Sequence, residues 1–189
     1  MSFDQLMIHY SAPSFCGIKP ANMFSVSKEV FCRKEYENWE ERFSLHGLES
    51  FFIELSGTRI LMFVYNKSWT ERILSVPYVK KYLEGKGYDY SGRKDFFSML
   101  KTRLDSSSDF PHEIGIVLGY PVEDVIAFEK CSGKNCKYCG AWKCYSDVDN
   151  ARNCENRFRE CSRLCSRWFD EGCSVTQIVK KYKEVFQAA

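Results

Sequence analysis

The sequence predicts an α+β fold in which a small, mainly antiparallel sheet packs with several helices. Residues 51–65 have the pattern of one β-hairpin, and other stretches show the apolar spacing that is typical of amphipathic helices. The 189 residues are 44% hydrophobic and 16% aromatic, which provides enough apolar material for a core and argues against disorder. We predict a single domain over residues 1–189, with a weak boundary near residues 105–109.

The N-terminal third of the chain predicts a loop, a helix and the hairpin. Proline and glycine punctuate residues 11–20, so we expect an ordered loop that leads into a helix near Ala21. Apolar residues recur every three to five positions over residues 28–45, which predicts an amphipathic helix. Residues 51–65 combine β-branched and aromatic side chains with a central Gly turn, which predicts the two strands of the hairpin.

Turn and capping residues divide the rest of the chain mainly into helices. Residues 141–146 are a candidate third strand of the sheet. Ser174-Val175-Thr176-Gln177 forms a capping box, which predicts a terminal helix. The remaining helices are expected over residues 68–74, 77–83, 94–104, 111–118, 121–130 and 148–170.

Charge and hydropathy exclude several classes of partner. With 27 basic and 25 acidic residues the net charge is +2, so the chain lacks the bulk positive charge of a nucleic-acid-binding protein, and we expect no such partner. The longest apolar run, Ile60 to Tyr65, is far shorter than the roughly 20 residues of a membrane-spanning helix. The first residues carry an acid and no basic leader, so we expect no secretory signal and a cytoplasmic location.

Three blocks of residues carry a resemblance to other sequences. The central block joins Phe110-Pro111-His112-Glu113-Ile114-Gly115 to Leu118-Gly119-Tyr120-Pro121 and Glu123-Asp124-Val125. The other two are Ser11-Ala12-Pro13 with Gly17-Ile18-Lys19, and Gly133-Lys134-Asn135 with Trp142-Lys143 and Tyr145. Together they span most of the chain, which thus resembles the bacterial family catalogued as domain of unknown function 3793. The resemblance implies one conserved unit and supplies no activity.

The first functional hypothesis is a small-ligand site, or an enzyme, built from two of these blocks. His112 and Glu113 are expected in the first turn of a short helix, where a neutral His can act as a general base and Glu113 can orient it. Ser11 and Lys19 surround Gly17, and a hydroxyl near a Lys can form a nucleophile or bind an anion. We predict that both segments line one pocket. The alternatives are a helix-capping role for Glu113 and a purely structural N-terminal loop.

The ten cysteines suggest a second hypothesis. In a reducing cytosol we expect free thiols, and the C-x-x-C-G spacing of Cys136 and Cys139 can direct two thiolates toward one zinc or iron ion. Cys161 and Cys165 are a candidate second pair, although their helical spacing favours a place in an apolar core stripe. A third hypothesis is a non-catalytic protein-interaction module. The sequence does not decide among the three, nor whether the protein is an enzyme.

Overall fold

A computed structural model describes residues 1–55, 57–106 and 110–186 of the chain. Within these residues the chain forms nine helices, a three-stranded antiparallel sheet and a separate two-stranded ribbon, so the α+β prediction is confirmed. The chain divides into two units. The first joins Met1–Asn66 to the described residues from Arg157 onward, and the second comprises Lys67–Asn156. The expectation of a single domain stays a prediction.

The first unit contains the main sheet. Its elements are α1 (Phe3–Phe15), β1 (Ala21–Ser27), α2 (Arg33–Leu45), β2 (Leu48–Glu54), β3 (Arg59–Asn66), the C-terminal part of α8 (Val148–Asp170) and α9 (Val175–Phe186). The strand order is β1-β3-β2, and both outer strands run antiparallel to β3. Because side chains alternate along a strand, Ile60, Met62 and Val64 share one face of β3, where they join Trp39 and Phe43 in the core.

The second unit is mainly helical. Its elements are α3 (Lys67–Ser75), α4 (Pro77–Gly85), α5 (Arg93–Ser106), α6 (Ile114–Val117), α7 (Val122–Lys130), β4 (Tyr138–Cys139), β5 (Lys143–Cys144) and the N-terminal part of α8. The buried Asp124 ties α7 to the ribbon. Its carboxylate accepts hydrogen bonds from Trp142 Nε1 at 2.7 Å and from the amides of Tyr145 and Ser146, both at 2.9 Å.

The hairpin and most of the predicted helices are confirmed. β2 and β3 pair as expected, although residue 56 of their turn lies outside the described residues. α8 begins and ends at the predicted residues 148 and 170. The capping box at the start of α9 is also present, because Gln177 N donates to Ser174 Oγ at 3.3 Å and Ser174 N donates to Gln177 Oε1 at 2.8 Å.

The N-terminal segment differs from the prediction of a loop followed by a helix. Ser11 and Pro13 lie inside α1, and the residues from Ala21 onward form β1. The helix survives its proline because tertiary packing of an apolar face contributes more to helix stability than local propensity, and the last turn of α1 is buried. Gly17, at φ +71°, ends the turn after α1 in a conformation that glycine adopts without strain.

The strand expected near residues 141–146 forms, but it belongs to a second sheet. β5 pairs with β4, and Tyr138 lies opposite Cys144. The third strand of the main sheet is β1, whose asparagine and serine residues carry little strand propensity but whose backbone pairs with β3 over seven residues. Hydrogen bonding to β3 over seven residues stabilises β1 as a strand although its own sequence has low strand propensity.

The remaining expectations concern the boundary and the membrane. Of the boundary predicted near 105–109, residues 105 and 106 belong to α5, and residues 107–109 lie outside the described residues. In the part of the chain that the structure describes, no helix has both the length and the apolar character needed to cross a bilayer.

Candidate functional site

An open cavity of about 740 Å³ lies within the second unit, where the predicted pair His112 and Glu113 form part of its wall. The rest of the wall comes from the turn after α4, from α5 and from α7. Both ionisable and aromatic side chains line the cavity. Besides the predicted pair, the lining includes Lys86, Arg103, Phe110, Phe128 and Glu129.

Glu113 is a buried carboxylate held by two donors. Its Oε1 accepts hydrogen bonds from Tyr88 Oη at 3.0 Å and from Arg103 Nη1 at 3.2 Å. The same guanidinium donates through Nη2 to the carbonyl of Lys86 at 2.6 Å and lies 4.1 Å from the centroid of the Tyr88 ring. Because an unpaired buried carboxylate is costly, these contacts offset the cost of burying Glu113. They also fix the backbone that carries the adjacent His112.

Glu129, on α7, is the centre of a second cluster of the same kind. Its Oε2 accepts from Tyr82 Oη at 2.8 Å and pairs with Lys86 Nζ at 2.7 Å. Burial, and then the hydrogen bond to Glu129, raises the pKa of Tyr82 above its ordinary value, so the hydroxyl remains a donor at neutral pH. Each carboxylate of the cavity is therefore matched with one cation and one tyrosine.

The cations of these clusters are more exposed than their carboxylates. The side chain of Arg103 is 32% exposed against 6% for Glu113, and that of Lys86 is 37% exposed against 19% for Glu129. Both cations retain N–H groups beyond those used in the ion pairs, because an ammonium has three donors and a guanidinium five. The formal charges of these four groups cancel, but the two cations are the members more exposed to a ligand.

His112 is exposed at the cavity wall and stands between two aromatic rings. Its ring centroid lies 4.7 Å from that of Phe128 and 5.8 Å from that of Phe110. Within the described ranges of the chain, neither ring nitrogen of His112 forms a hydrogen bond with the protein. Both nitrogens are therefore available to a ligand. The expectation that His112 and Glu113 lie in the first turn of the short helix is wrong, because both residues directly precede α6.

A close contact between α6 and α7 holds this segment in place. A Cβ atom at Gly115 would lie 2.9 Å from Cγ2 of Val125 and 3.0 Å from Cδ2 of Tyr120. Only glycine fits there without displacement of its neighbours, which is why α6 can pack so closely on α7. The contact helps to fix the position of the His112 segment relative to Phe128, whose ring His112 touches.

Gly115, Tyr120 and Val125 all belong to the block on which the resemblance to a known family mainly rests. The sequence profile of the family described as Protein of unknown function (DUF3793) matches residues 7–179. The chain belongs to this family. No curated protein and no solved structure matches it. Membership of DUF3793 therefore confirms the resemblance but brings no activity with it, and a function has to be argued from the geometry of the site.

The other two predicted ligand-binding residues of this DUF3793 chain lie in the first unit. Ser11 is fully buried in α1, and its Oγ has no hydrogen-bond partner among the described residues. Lys19 follows α1, and its Nζ lies 5.3 Å from the centroid of the Phe158 ring. Burial lowers the pKa of Lys19 to about 8. His112 and Glu113 belong to the second unit, so the Ser11 and Lys19 segment is described by itself.

Cys136 and Cys139, the predicted zinc or iron ligands, lie at the ribbon of the second unit. Cys139 belongs to β4 and is exposed, whereas Cys136 is partly buried. Among the described residues, no group of three ligand atoms within 4.8 Å of one another includes either cysteine. A metal ion at this pair stays a prediction, and its third and fourth ligands are not identified by the geometry.

Cys161 and Cys165 take part in a different cluster, together with Cys16 at the end of α1. The sulfur of Cys165 lies 3.7 Å from that of Cys16 and 4.0 Å from that of Cys161. Hydrogen bonds from Cys16 and Cys161 lower the pKa of Cys165 to about 5. All three thiols belong to the main core, so the expected core position of Cys161 and Cys165 is confirmed.

Sequence reasoning identified His112 and Glu113 but missed the groups that complete the cavity. Arg103, Lys86 and Glu129 come from α5, the turn after α4 and α7, and nothing in their local sequence indicates that these elements converge. Cys16 was likewise left without a role. The available signal was weak, because Cys16 lies between the two parts of a matching block, and the prediction of a loop there did not indicate the helix that places Cys16 in the core.

Proposed function

We propose that this DUF3793 protein binds a small organic anion with an aromatic or similarly flat apolar part in the cavity beside His112. The observation that carries the proposal is the state of His112 itself. Its imidazole is exposed, is flanked by two aromatic rings and keeps both ring nitrogens free of hydrogen bonds to the described residues. A polar side chain held in this way by rigid neighbours is a preorganised contact for a ligand.

The negative charge of the ligand follows from the charges around the cavity. Lys86 and Arg103 are the exposed members of their ion pairs, while the carboxylates of Glu113 and Glu129 are occupied by their tyrosine and cation partners. Hydrogen bonds between charged partners are stronger than neutral ones, so a carboxylate or phosphate gains most from this lining.

The flat apolar part of the ligand follows from the two phenylalanines. Phe110 is 44% exposed and lies on the cavity wall with Phe128. Stacking of a ring against either side chain removes apolar surface from water, at about 25 cal/mol per Å² of area buried. A neutral polar ligand would form weaker hydrogen bonds with the two cations, and a purely apolar ligand would form none.

The two predicted catalytic residues have different parts in this proposal. His112 contacts the ligand and can exchange a proton with it, because a free imidazole both donates and accepts. Glu113 is a positioning residue, since its carboxylate is already engaged by Tyr88 and Arg103 and contributes to binding through the backbone of His112. Whether proton transfer follows binding separates an enzyme from a binding protein, and a His112→Gln variant tests it.

We further propose that the protein works in the cytoplasm. Its ten cysteines are all free thiols, and two of them, Cys16 and Cys165, have sulfur atoms only 3.7 Å apart. Thiols so close together persist as thiols in a reducing compartment, whereas an oxidising one favours their conversion to disulfides. The free thiols support a reducing location.

Binding is tested by thermal-shift measurements and calorimetry with benzoate, phenyl phosphate and the uncharged benzyl alcohol. Ligands that bind only the native state raise the melting temperature, so both anions should do so and benzyl alcohol should not. His112→Ala should weaken anion binding about tenfold or more, the equivalent of one lost hydrogen bond to a charged group.

The matched control is Lys130→Met, which removes an exposed lysine of the same helix that carries Glu129. It should leave binding unchanged. His112→Gln, which keeps a hydrogen-bonding side chain but cannot transfer a proton at neutral pH, should retain much of the affinity. Equal affinity of His112→Ala and the unaltered protein for both anions would refute the proposal.

A further inference from the structure

The buried thiol cluster of the first unit has the dimensions of a metal-thiolate site. Cys16, Cys161 and Cys165 are each completely inaccessible to solvent, and their three sulfur atoms lie within 4.8 Å of one another. The two distances given for individual pairs are 3.7 Å for Cys16 and Cys165 and 4.0 Å for Cys161 and Cys165. Three sulfurs that belong to two helices thus converge on one point.

These spacings match those that a metal ion imposes on its sulfur ligands. With metal–sulfur bonds of about 2.3 Å, tetrahedral angles separate two sulfurs by about 3.8 Å and trigonal angles by about 4.0 Å. The observed separations of 3.7 and 4.0 Å therefore leave room for an ion at the centre of the cluster. Apolar packing alone does not require the sulfurs to point at one another, because any small apolar side chain fills the same volume.

The helices that carry the cluster are held together by hydrogen bonds on one side of it. α1 and α8 run antiparallel, with Gln5 Nε2 donating to Asp170 Oδ1 at 3.0 Å and His9 Nδ1 lying 3.1 Å from Ser166 Oγ. Cys161 and Cys165 are one turn apart on α8, so their side chains share one face. The ligands are therefore arranged before an ion arrives, which lowers the entropy cost of binding it.

We propose that Cys16, Cys161 and Cys165 bind one soft, thiophilic d10 metal ion, Zn(II) or Cu(I), through three thiolates. Sulfur ligands select such ions over hard cations, and ligation replaces the thiol protons, which leave as up to three H⁺ per ion bound. The ion offsets only part of the thiolate charge: with all three thiols deprotonated, the site carries −1 with Zn(II) and −2 with Cu(I), and each thiol that keeps its proton makes it less negative by one. This site is independent of the cavity beside His112 and of the Cys136 and Cys139 pair.

The number of ligands bears on which of the two ions is preferred. Zinc in structural sites takes four ligands, and the group found here contains three cysteines among the described residues. Tyr182 is buried and hydrogen-bonds to Cys161, so its hydroxyl is a candidate for a further, oxygen ligand. Three sulfurs and no nitrogen favour Cu(I), and the two ions are compared in the experiment.

The test uses the full-length protein, unfolded under reducing anaerobic conditions and refolded with one equivalent of Zn(II), of Cu(I), or with a chelator. This route is chosen because the completely buried site has to receive its ion during folding. We expect one ion per chain to survive desalting and to raise the melting temperature, with Cu(I) retained more firmly than Zn(II). The triple variant C16S/C161S/C165S should lose both the ion and the shift in melting temperature.

The matched control is C131S/C136S/C139S, which also removes three thiols but leaves the cluster intact. It should keep the ion. Retention of the ion by the cluster variant, loss of it by the control, or folded wild-type protein without bound metal would each overturn the proposal. If the cluster variant fails to fold, X-ray absorption of the metal-loaded wild type decides: three sulfur neighbours at about 2.3 Å support the site, and fewer than three overturn it.

Discussion

Arg103 Nη1 lies 3.2 Å from the carboxylate of Glu113, so the ion pair links α5 to the residue that follows His112. The pair is asymmetric, since Glu113 is nearly inaccessible while about a third of Arg103 reaches solvent. Loss of the partner costs more free energy for a buried charge such as Glu113 than for an exposed charge. The ion pair therefore holds the His112 segment in place and presents part of the guanidinium to the cavity.

Loss of the Glu113 charge should destabilise the protein. We expect Glu113→Gln to lower the free energy of unfolding by about 1–3 kcal/mol, because Arg103 and the Tyr88 hydroxyl lose a charged acceptor in a buried setting. Urea denaturation measures the effect. Glu54→Gln is the control, since Glu54 forms an exposed ion pair with Lys28, and its loss should cost less than about 1 kcal/mol. Equal losses of unfolding free energy for the two substitutions would show that burial does not increase the contribution of Glu113 to stability.

Asp124 should be the most sensitive polar position of the second unit. Its carboxylate accepts three hydrogen bonds that join α7 to the ribbon, so Asp124→Asn should cost about 2–4 kcal/mol, since an amide turns a donor toward groups that are themselves donors. Glu123→Gln, which changes the exposed neighbouring acid, serves as the control. A stability loss no greater than that of the control would contradict the structural role of Asp124.

The contribution of Asp124 should also depend on pH. Burial raises the pKa of Asp124, but the hydrogen bonds from Trp142 and from the amides of Tyr145 and Ser146 outweigh burial, and its pKa lies below the ordinary value. The unfolded chain therefore takes up the proton first as the pH falls below about 4, and the native state loses stability there. The stability difference between the unaltered protein and Asp124→Asn should shrink in that range. A difference that stays constant between pH 6 and the acid limit of folding would contradict this prediction.

Lys19 should have the opposite dependence. Because burial lowers its pKa to about 8, the unfolded chain holds a proton between pH 8 and 10.5 that the native state has released. Stability then rises with pH in this window, by about 1–3 kcal/mol relative to Lys19→Met, in which the position cannot titrate. Denaturation of both proteins at pH 7 and pH 10 measures the difference, and thiol titration common to both cancels. A stability difference that does not change with pH would show that burial does not lower the pKa of Lys19 in the native state.

The parts of the fold that sequence could predict are those with a local physical signature. The strands of the hairpin combine aromatic and β-branched residues, and the start of α9 is indicated by the Ser174 and Gln177 capping box. β1 has no such signature, because Asn22 and Ser25 are poor strand residues and its pairing with β3 joins residues about 40 positions apart. α1 was hidden by Pro13, which is a helix breaker in isolation but is tolerated in a buried helix end.

The sequence could likewise predict only part of the candidate site. His112 and Glu113 stand next to each other in a recognisable motif, so sequence could name them. Arg103 could not be assigned, because its contact with Glu113, ten positions along the chain, depends on how α5 packs and not on the local sequence. For Cys16, the contact with Cys165 spans 149 positions, and spacing rules for metal ligands apply to near neighbours in sequence.

The central claim, that the cavity beside His112 binds small organic anions, is tested most directly by NMR of the histidine side chains. The chain has three histidines, and the other two, His9 and His46, lie in the first unit, so ¹⁵N-histidine labelling gives one reporter at the site and two away from it. Assignment of the His112 signals comes from His112→Gln. On titration with benzoate or phenyl phosphate, we predict that the ring signals of His112 shift and saturate while those of His9 and His46 stay in place. Unchanged His112 signals, or equal shifts at all three histidines, would contradict the account.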